Sequence, residues 1–183
     1  MNRNKRAFTI MEILIVMGII SIMIPVLFTV VFAVIRQEAR VYALTTVKTQ
    51  GDFILNSMKF NIRNSAISLH SAYPATDFNK VCTSASSTPI AQNPLVLRDR
   101  QGNSFYYSLS GNAVASNSSV LATPLALTSA KVSVSGFSMS CNLPSQYSAP
   151  IVTISYTVNY VSAVAGETAA SLPYSTKIKL RNQ

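Results

Sequence analysis

The stretch FTIMEILIVMGIISIMIPVLFTVVFAVI, Phe8 to Ile35, carries a single charged side chain, Glu12. A bilayer-spanning helix needs roughly 20 predominantly apolar residues, and this run exceeds that. A secretory signal has an apolar region of only about 7–15 residues before a small-residue exit. Neither that length nor such an exit is present, so the run is expected to stay as a membrane helix. Arg3, Lys5 and Arg6 precede it, and Arg36, Glu38 and Arg40 follow it. The denser basic cluster in front favours a cytoplasmic N-terminus, with the remainder translocated.

Glu12 needs a reason to be there. A carboxylate in a membrane helix costs on the order of a few kcal/mol at the bilayer centre. One reading is that Glu12 lies near the cytoplasmic interface and reaches water. A sharper one follows from a cut between Ala7 and Phe8. Phe8 then supplies a new α-amino group, and Glu12 becomes the fifth residue of the mature chain. Its carboxylate can pair with the α-amine of another copy packed slightly out of register.

The run KRA-FTIMEILIVMGII resembles the N-terminal signal of type IV pilins and of the pseudopilins of type II secretion: a short basic leader, a small residue, Phe, Thr, two apolar residues, Glu and a long apolar helix. The resemblance implies a pilin fold. It implies removal of residues 1–7 by a prepilin peptidase at Ala7–Phe8, N-methylation of Phe8, and a register role for Glu12. The implied partners are other pilin or pseudopilin subunits, the pilus assembly machinery, and membrane lipid before assembly. Ala7 departs from the family pattern, which usually has Gly there. The stretch from Leu127 to Tyr160 looks most like minor pilins and J-type pseudopilins.

Pro25 lies inside the apolar run, where it removes a backbone hydrogen bond and kinks or loosens a helix. Neighbouring groups make this tolerable in membrane helices. In assembled pili of the resembling family, part of this helix is unwound near such a proline. Met17 to Pro25, with Gly18, is therefore the segment expected to soften; a plain kink is the alternative.

After Ile35 the pattern becomes amphipathic. Leu44, Val47, Ile54, Leu55, Met58 and Ile62 recur at about 3.6 residues. This predicts one helix running on to about Arg63–Ala66. Gly51 lowers propensity by about 1 kcal/mol against Ala and marks a bend or a close contact. Residues 67–94 lack periodicity and read as an ordered but irregular connection that holds Cys82. Strand patterns follow: Leu95–Arg98; Phe105 to Leu109; a return strand from Ala113; and Val132 and Val134, then Phe137, Met139 and Cys141 one residue out of phase. Gly136 at the slip reads as a bulge. Pro124 confines its stretch to an edge or loop. Val152, Ile154, Tyr156, Val158 and Tyr160 alternate most cleanly. A small-residue loop spans Ser162–Leu172. Ile178 and Leu180 then alternate with Lys177, Lys179 and Arg181, whose charges would blunt an edge. The sum is an α+β chain: leader 1–7, membrane or filament-core helix 8–35, amphipathic helix 36–66, and a head at 67–183 with one antiparallel sheet of about four to seven strands covered by the helix.

The chain of 183 residues has net charge +9, with only 11% charged residues. The basic balance permits DNA or acidic surfaces as partners, but no run of four basic residues exists. Cys82 and Cys141 can pair if the head lies outside the cytoplasm; two separate thiols are the alternative. A disulfide closing that loop would contribute roughly 4 kcal/mol.

The six acidic residues are scattered, and nothing resembles a catalytic constellation, a metal site or a cofactor cradle. Asp99, Gln101 and Asn103 have an alternate spacing faintly like a calcium loop, opposed by Arg98 and Arg100. His70 reads as an ordinary surface or turn histidine. Tyr106, Tyr107, Tyr156 and Tyr160 read as cross-strand or core packing. No enzyme is expected. The alternative to a filament subunit is a bitopic membrane protein with a ligand-binding β-domain outside.

Overall fold

The computed structural model describes residues 9–86, 88–92, 94–161 and 170–181. A single helix, α1 (Ile10–Ser65), leads the chain. It passes through two compact units that divide between Tyr42 and Ala43. In the first unit every described residue is exposed.

In the second unit α1 buries Ala43, Val47, Gly51, Ile54, Met58 and Ile62. These positions are three or four apart and form one stripe. The stripe is narrower than the apolar periodicity suggests: Leu44 stays 37% exposed and Leu55 only half-buried, while Ala43 and Gly51 take places within it. Small residues let the helix backbone approach the strands.

Nine strands follow among the described residues: β1 (Ser68–His70), β2 (Ile90–Gln92), β3 (Val96–Arg98), β4 (Ser104–Ser110), β5 (Ala113–Ser118), β6 (Leu125–Ala126), β7 (Val132–Asn142), β8 (Ile151–Tyr160) and β9 (Ser171–Lys179). They form two sheets rather than the expected one. The first runs β1-β3-β4-β5-β6 and the second β2-β7-β8-β9. All pairings are antiparallel.

Residues 67–94 are also more regular than their lack of periodicity suggests. They give β1 to the first sheet, a 3₁₀ turn at Asp77–Asn79, and β2 to the second sheet. Strands of three residues are too short for alternation to register, and partner strands supply the pairing instead. The expected small-residue loop ends early, because β9 begins at Ser171; residues 162–169 lie outside the described residues.

The turns follow their chemistry. Gly111 and Asn112 join β4 to β5 as a two-residue loop, with Gly111 at φ +61. That is the first central position a type II′ turn gives to glycine. Between β3 and β4 the Asp99 carboxylate closes the turn, accepting from the Asn103 backbone N–H at 2.7 Å and from Asn103 Nδ2 at 3.1 Å. These bonds account for the Asp99–Asn103 spacing as turn chemistry. β7 and β8 shift register between Ser135 and Ser138, with Gly136 at φ +62, so the phase slip is a bulge. β6, directly after Pro124, ends the first sheet as an edge strand.

Ile54, Met58, Ile62, Leu95, Leu97, Tyr107, Val114, Val152, Ile154 and Val158 are almost wholly buried and belong to one apolar cluster drawn from α1 and both sheets. Cys82 and Cys141 are joined by a disulfide within it, with Cα atoms 6.3 Å apart. Cys82 sits at φ +56, a left-handed conformation uncommon for a residue with a side chain.

Candidate functional site

The first unit holds the feature that sets this chain apart. From Ile10 to Ile35 the helix shows its apolar side chains on every face: Ile10 is 81% exposed, Ile22 73% and Leu27 64%. A soluble protein rarely leaves so large an apolar surface in water. The helix is long and apolar enough, by length and composition, to cross a membrane.

Its start is built by Thr9. The Glu12 backbone N–H donates to the Thr9 carbonyl at 3.1 Å and lies 3.4 Å from Thr9 Oγ1. Thr9 thus occupies the N-cap and Glu12 the third helical position, the Thr-x-x-Glu spacing of a capping box. A carboxylate there also faces the positive end of the helix dipole. This local role for Glu12 was readable in the sequence at Thr9 but is absent from an argument based on membrane cost alone. Ala7 and Phe8, the cleavage and methylation positions, lie outside the described residues.

Gly18 and Pro25 both lie within continuous helix. Pro25 has no N–H to offer the carbonyl one turn back, that of Ser21. Two hydroxyls sit on either side of this gap. Ser21 Oγ donates to the Met17 carbonyl at 2.8 Å, and Thr29 Oγ1 donates to the Pro25 carbonyl at 2.9 Å. Both place their polar atoms against backbone on the same helix, which suits an apolar surrounding. Nothing lies within 4 Å of where a Cβ would stand on Gly18, so that glycine is not demanded by packing in this chain alone.

In the second unit the buried polar groups serve the fold. Tyr156 OH donates to the Gly51 carbonyl at 2.9 Å, and Tyr174 OH donates to the Lys48 carbonyl at 3.1 Å. The two rings stack, centroids 5.3 Å apart. Burial raises both hydroxyl pKa values; the nearby Tyr174 and Asp52 add to this for Tyr156, and Asp52 adds to it for Tyr174. They therefore stay protonated donors at neutral pH. Asn61 Nδ2 donates to Tyr107 OH at 3.2 Å and ties α1 to the first sheet. Tyr106 packs near Tyr73, centroids 5.5 Å apart, while Tyr160 is half-buried.

His70 is not a surface residue. It is fully buried. Its Nδ1 lies 2.9 Å from the Thr76 carbonyl and its Nε2 lies 2.8 Å from Ser68 Oγ. A carbonyl only accepts, so Nδ1 carries the proton and Nε2 of the neutral ring accepts from Ser68. Desolvation lowers its pKa, with Arg98 and Lys80 adding to the effect and the Thr76 bond opposing it. Among the described residues, no group of three or more His, Cys, Asp or Glu is placed to hold a metal ion.

No protein-family model, curated protein or solved structure matches this chain. The fold defines an α+β chain with a membrane-length apolar helix that continues into the cover of antiparallel sheets.

Proposed function

We propose that the chain is a structural subunit of a type IV pilus or related pseudopilus, of the minor or J-type kind. One observation carries this reading. The exposed apolar helix opens on Thr9 and Glu12 and continues, without a break, into a helix that buries its face against sheets. A simple anchor needs no such continuity. A subunit whose helix passes from bilayer to fibre core uses both halves of it, an apolar half left without a cover of its own and a second half that belongs to the head.

On this reading the peptidase removes residues 1–7 at the cytoplasmic face and methylates Phe8. The head lies outside the cytoplasm, where the disulfide is stable. Burial of the apolar half against copies of the same kind of helix supplies cohesion. The Glu12 carboxylate pairs with a neighbour's α-amine and sets register, since an unpaired charge in an apolar core costs several kcal/mol. Gly18 and Pro25 mark the part that softens during assembly. The filament could serve adhesion, motility, protein secretion or DNA uptake.

The position of Glu12 in the first turn of α1 favours a second reading in one respect, because the positive end of the helix dipole suits a carboxylate there without a partner from another copy. In that reading the chain is a bitopic membrane protein with an outer β-domain. Mass analysis of the mature N-terminus separates the two. Methylated Phe8 is expected, and a retained Met1–Ala7 segment overturns the filament reading.

A further inference from the structure

The edge of the second sheet forms a basic groove with α1. The groove has a volume of about 1010 Å³ and lies between Asn56, Lys59, Phe60, Arg63 and Asn64 on the helix and residues 177–181 on the strand side. Lys59, Arg63, Lys177, Lys179 and Arg181 are five basic residues among those that line it, and no acidic residue lines it among the described residues. No carboxylate among the described residues is within ion-pair distance of any of them. Arg63 lies in the last turn of α1, where a cation complements the helix dipole. That cause does not extend to the cations on the strand side.

β9 is the end strand of its sheet, and among the described residues nothing pairs with its outer edge. The register sets which way its backbone groups point. Leu180 donates its N–H to the Pro150 carbonyl, and the Ala170 carbonyl accepts from Tyr160. Even-numbered positions therefore turn their amides toward β8, and the alternation of an antiparallel ladder turns those of Lys177 and Lys179 outward. Pro173 falls in the outward phase, where the missing N–H costs no ladder bond. Ile178 and Leu180 are buried and hold the strand in place, while the side chains of Lys177, Lys179 and Arg181 are exposed.

We propose that this groove takes an extended, carboxylate-rich peptide segment of another protein as an added strand on β9. An edge offers N–H donors and C=O acceptors in alternation, and a peptide backbone matches both. A nucleic-acid backbone matches only the donors, because phosphate oxygens accept and would face the outward carbonyls of Lys177 and Lys179. Phe60, 67% exposed, is the one aromatic lining the groove among the described residues, whereas single-strand binders stack successive bases on several. A second copy of this chain is disfavoured by charge. The sequence has net charge +9 and six scattered acidic residues, so pairing two β9 edges would set lysines against lysines. The inference concerns the second unit and stands whether or not the chain enters a filament.

The test uses the full chain in neutral detergent and a labelled peptide of alternating glutamate and valine, read by fluorescence anisotropy. Saturable binding is expected. The double substitution Lys177→Glu/Lys179→Glu should weaken it by about tenfold or more. Both positions are exposed, and circular dichroism confirms that the variant is folded. The same peptide methylated at every amide nitrogen keeps its carboxylates but loses its backbone donors, and it should not bind. Equal binding of the methylated peptide overturns strand addition. Tighter binding of a single-stranded oligonucleotide of equal charge, or no binding of the acidic peptide, overturns the proposal as a whole.

Discussion

The Tyr156 hydroxyl donates a 2.9 Å hydrogen bond to the Gly51 carbonyl, joining the middle of β8 to the middle of the buried face of α1. Tyr174 completes the joint. Its ring lies where a Cβ on Gly51 would stand, and its hydroxyl reaches the carbonyl of Lys48. The absence of a side chain at Gly51 is therefore what lets two tyrosines dock the helix.

Gly51→Ala tests this directly. Helix propensity alone favours the alanine by about 1 kcal/mol. The collision with Tyr174 opposes it, and overpacking of this kind costs about 1–3 kcal/mol. Urea unfolding followed by circular dichroism should show a net loss of stability. A gain would mean that the Tyr174 ring moves aside without cost. Tyr174→Ala should relieve the alanine variant, a coupling that a double-mutant cycle measures.

The disulfide closes a loop with sequence separation 59 and ties the segment after β1 to β7. Cys82→Ser with Cys141→Ser should lower stability by about 2–4 kcal/mol. Its effect should fall on the head alone. The apolar helix, in detergent, should keep its circular dichroism signal while the strand signal melts earlier.

His70 gives the head a pH dependence whose sign is fixed by its lowered pKa. The unfolded chain takes up this proton near pH 6.5, the ordinary value, while the folded one resists it to lower pH. Stability from this group is therefore complete above about pH 6.5 and falls as pH drops toward the folded pKa. His70→Asn removes the titration and keeps an amide able to hydrogen-bond. The drop in melting temperature between neutral and mildly acidic pH should be smaller in that variant. An unchanged slope would assign the acid sensitivity to other groups.

At the other end of the chain, Thr9 and Glu12 allow the cap to be separated from the charge. Glutamine also serves in a capping box. If Glu12 acts by pairing with an α-amine, Glu12→Gln should reduce incorporation into sheared filaments nearly as much as Glu12→Ala, with membrane insertion intact in both. Wild-type incorporation of Glu12→Gln would assign the residue to the helix start alone. Thr9→Ala should weaken the cap, by about 1 kcal/mol, without removing the charge.

The sequence by itself determined the elements whose signal is local. Twenty or more apolar residues in a row have one physical outcome, and the 3.6-residue repeat beyond them continues the same helix. Gly136, Gly111 and Pro124 marked a bulge, a turn and an edge because each imposes a backbone constraint on its own position. Tertiary structure decided the rest. Ser68–His70 and Ile90–Gln92 became strands because β3 and β7 took up their amides, and the strands sorted into two sheets where one was expected. His70 became a buried, doubly hydrogen-bonded ring because Ser68 and Thr76 were brought to it. Gly51, read from the sequence as a bend or a close contact, proved to be the close contact, but its partners Tyr156 and Tyr174 were not legible, since they lie more than 100 positions away in the chain. A contact of that separation leaves no periodicity behind it; it exists only once the fold has brought β8 and β9 onto α1.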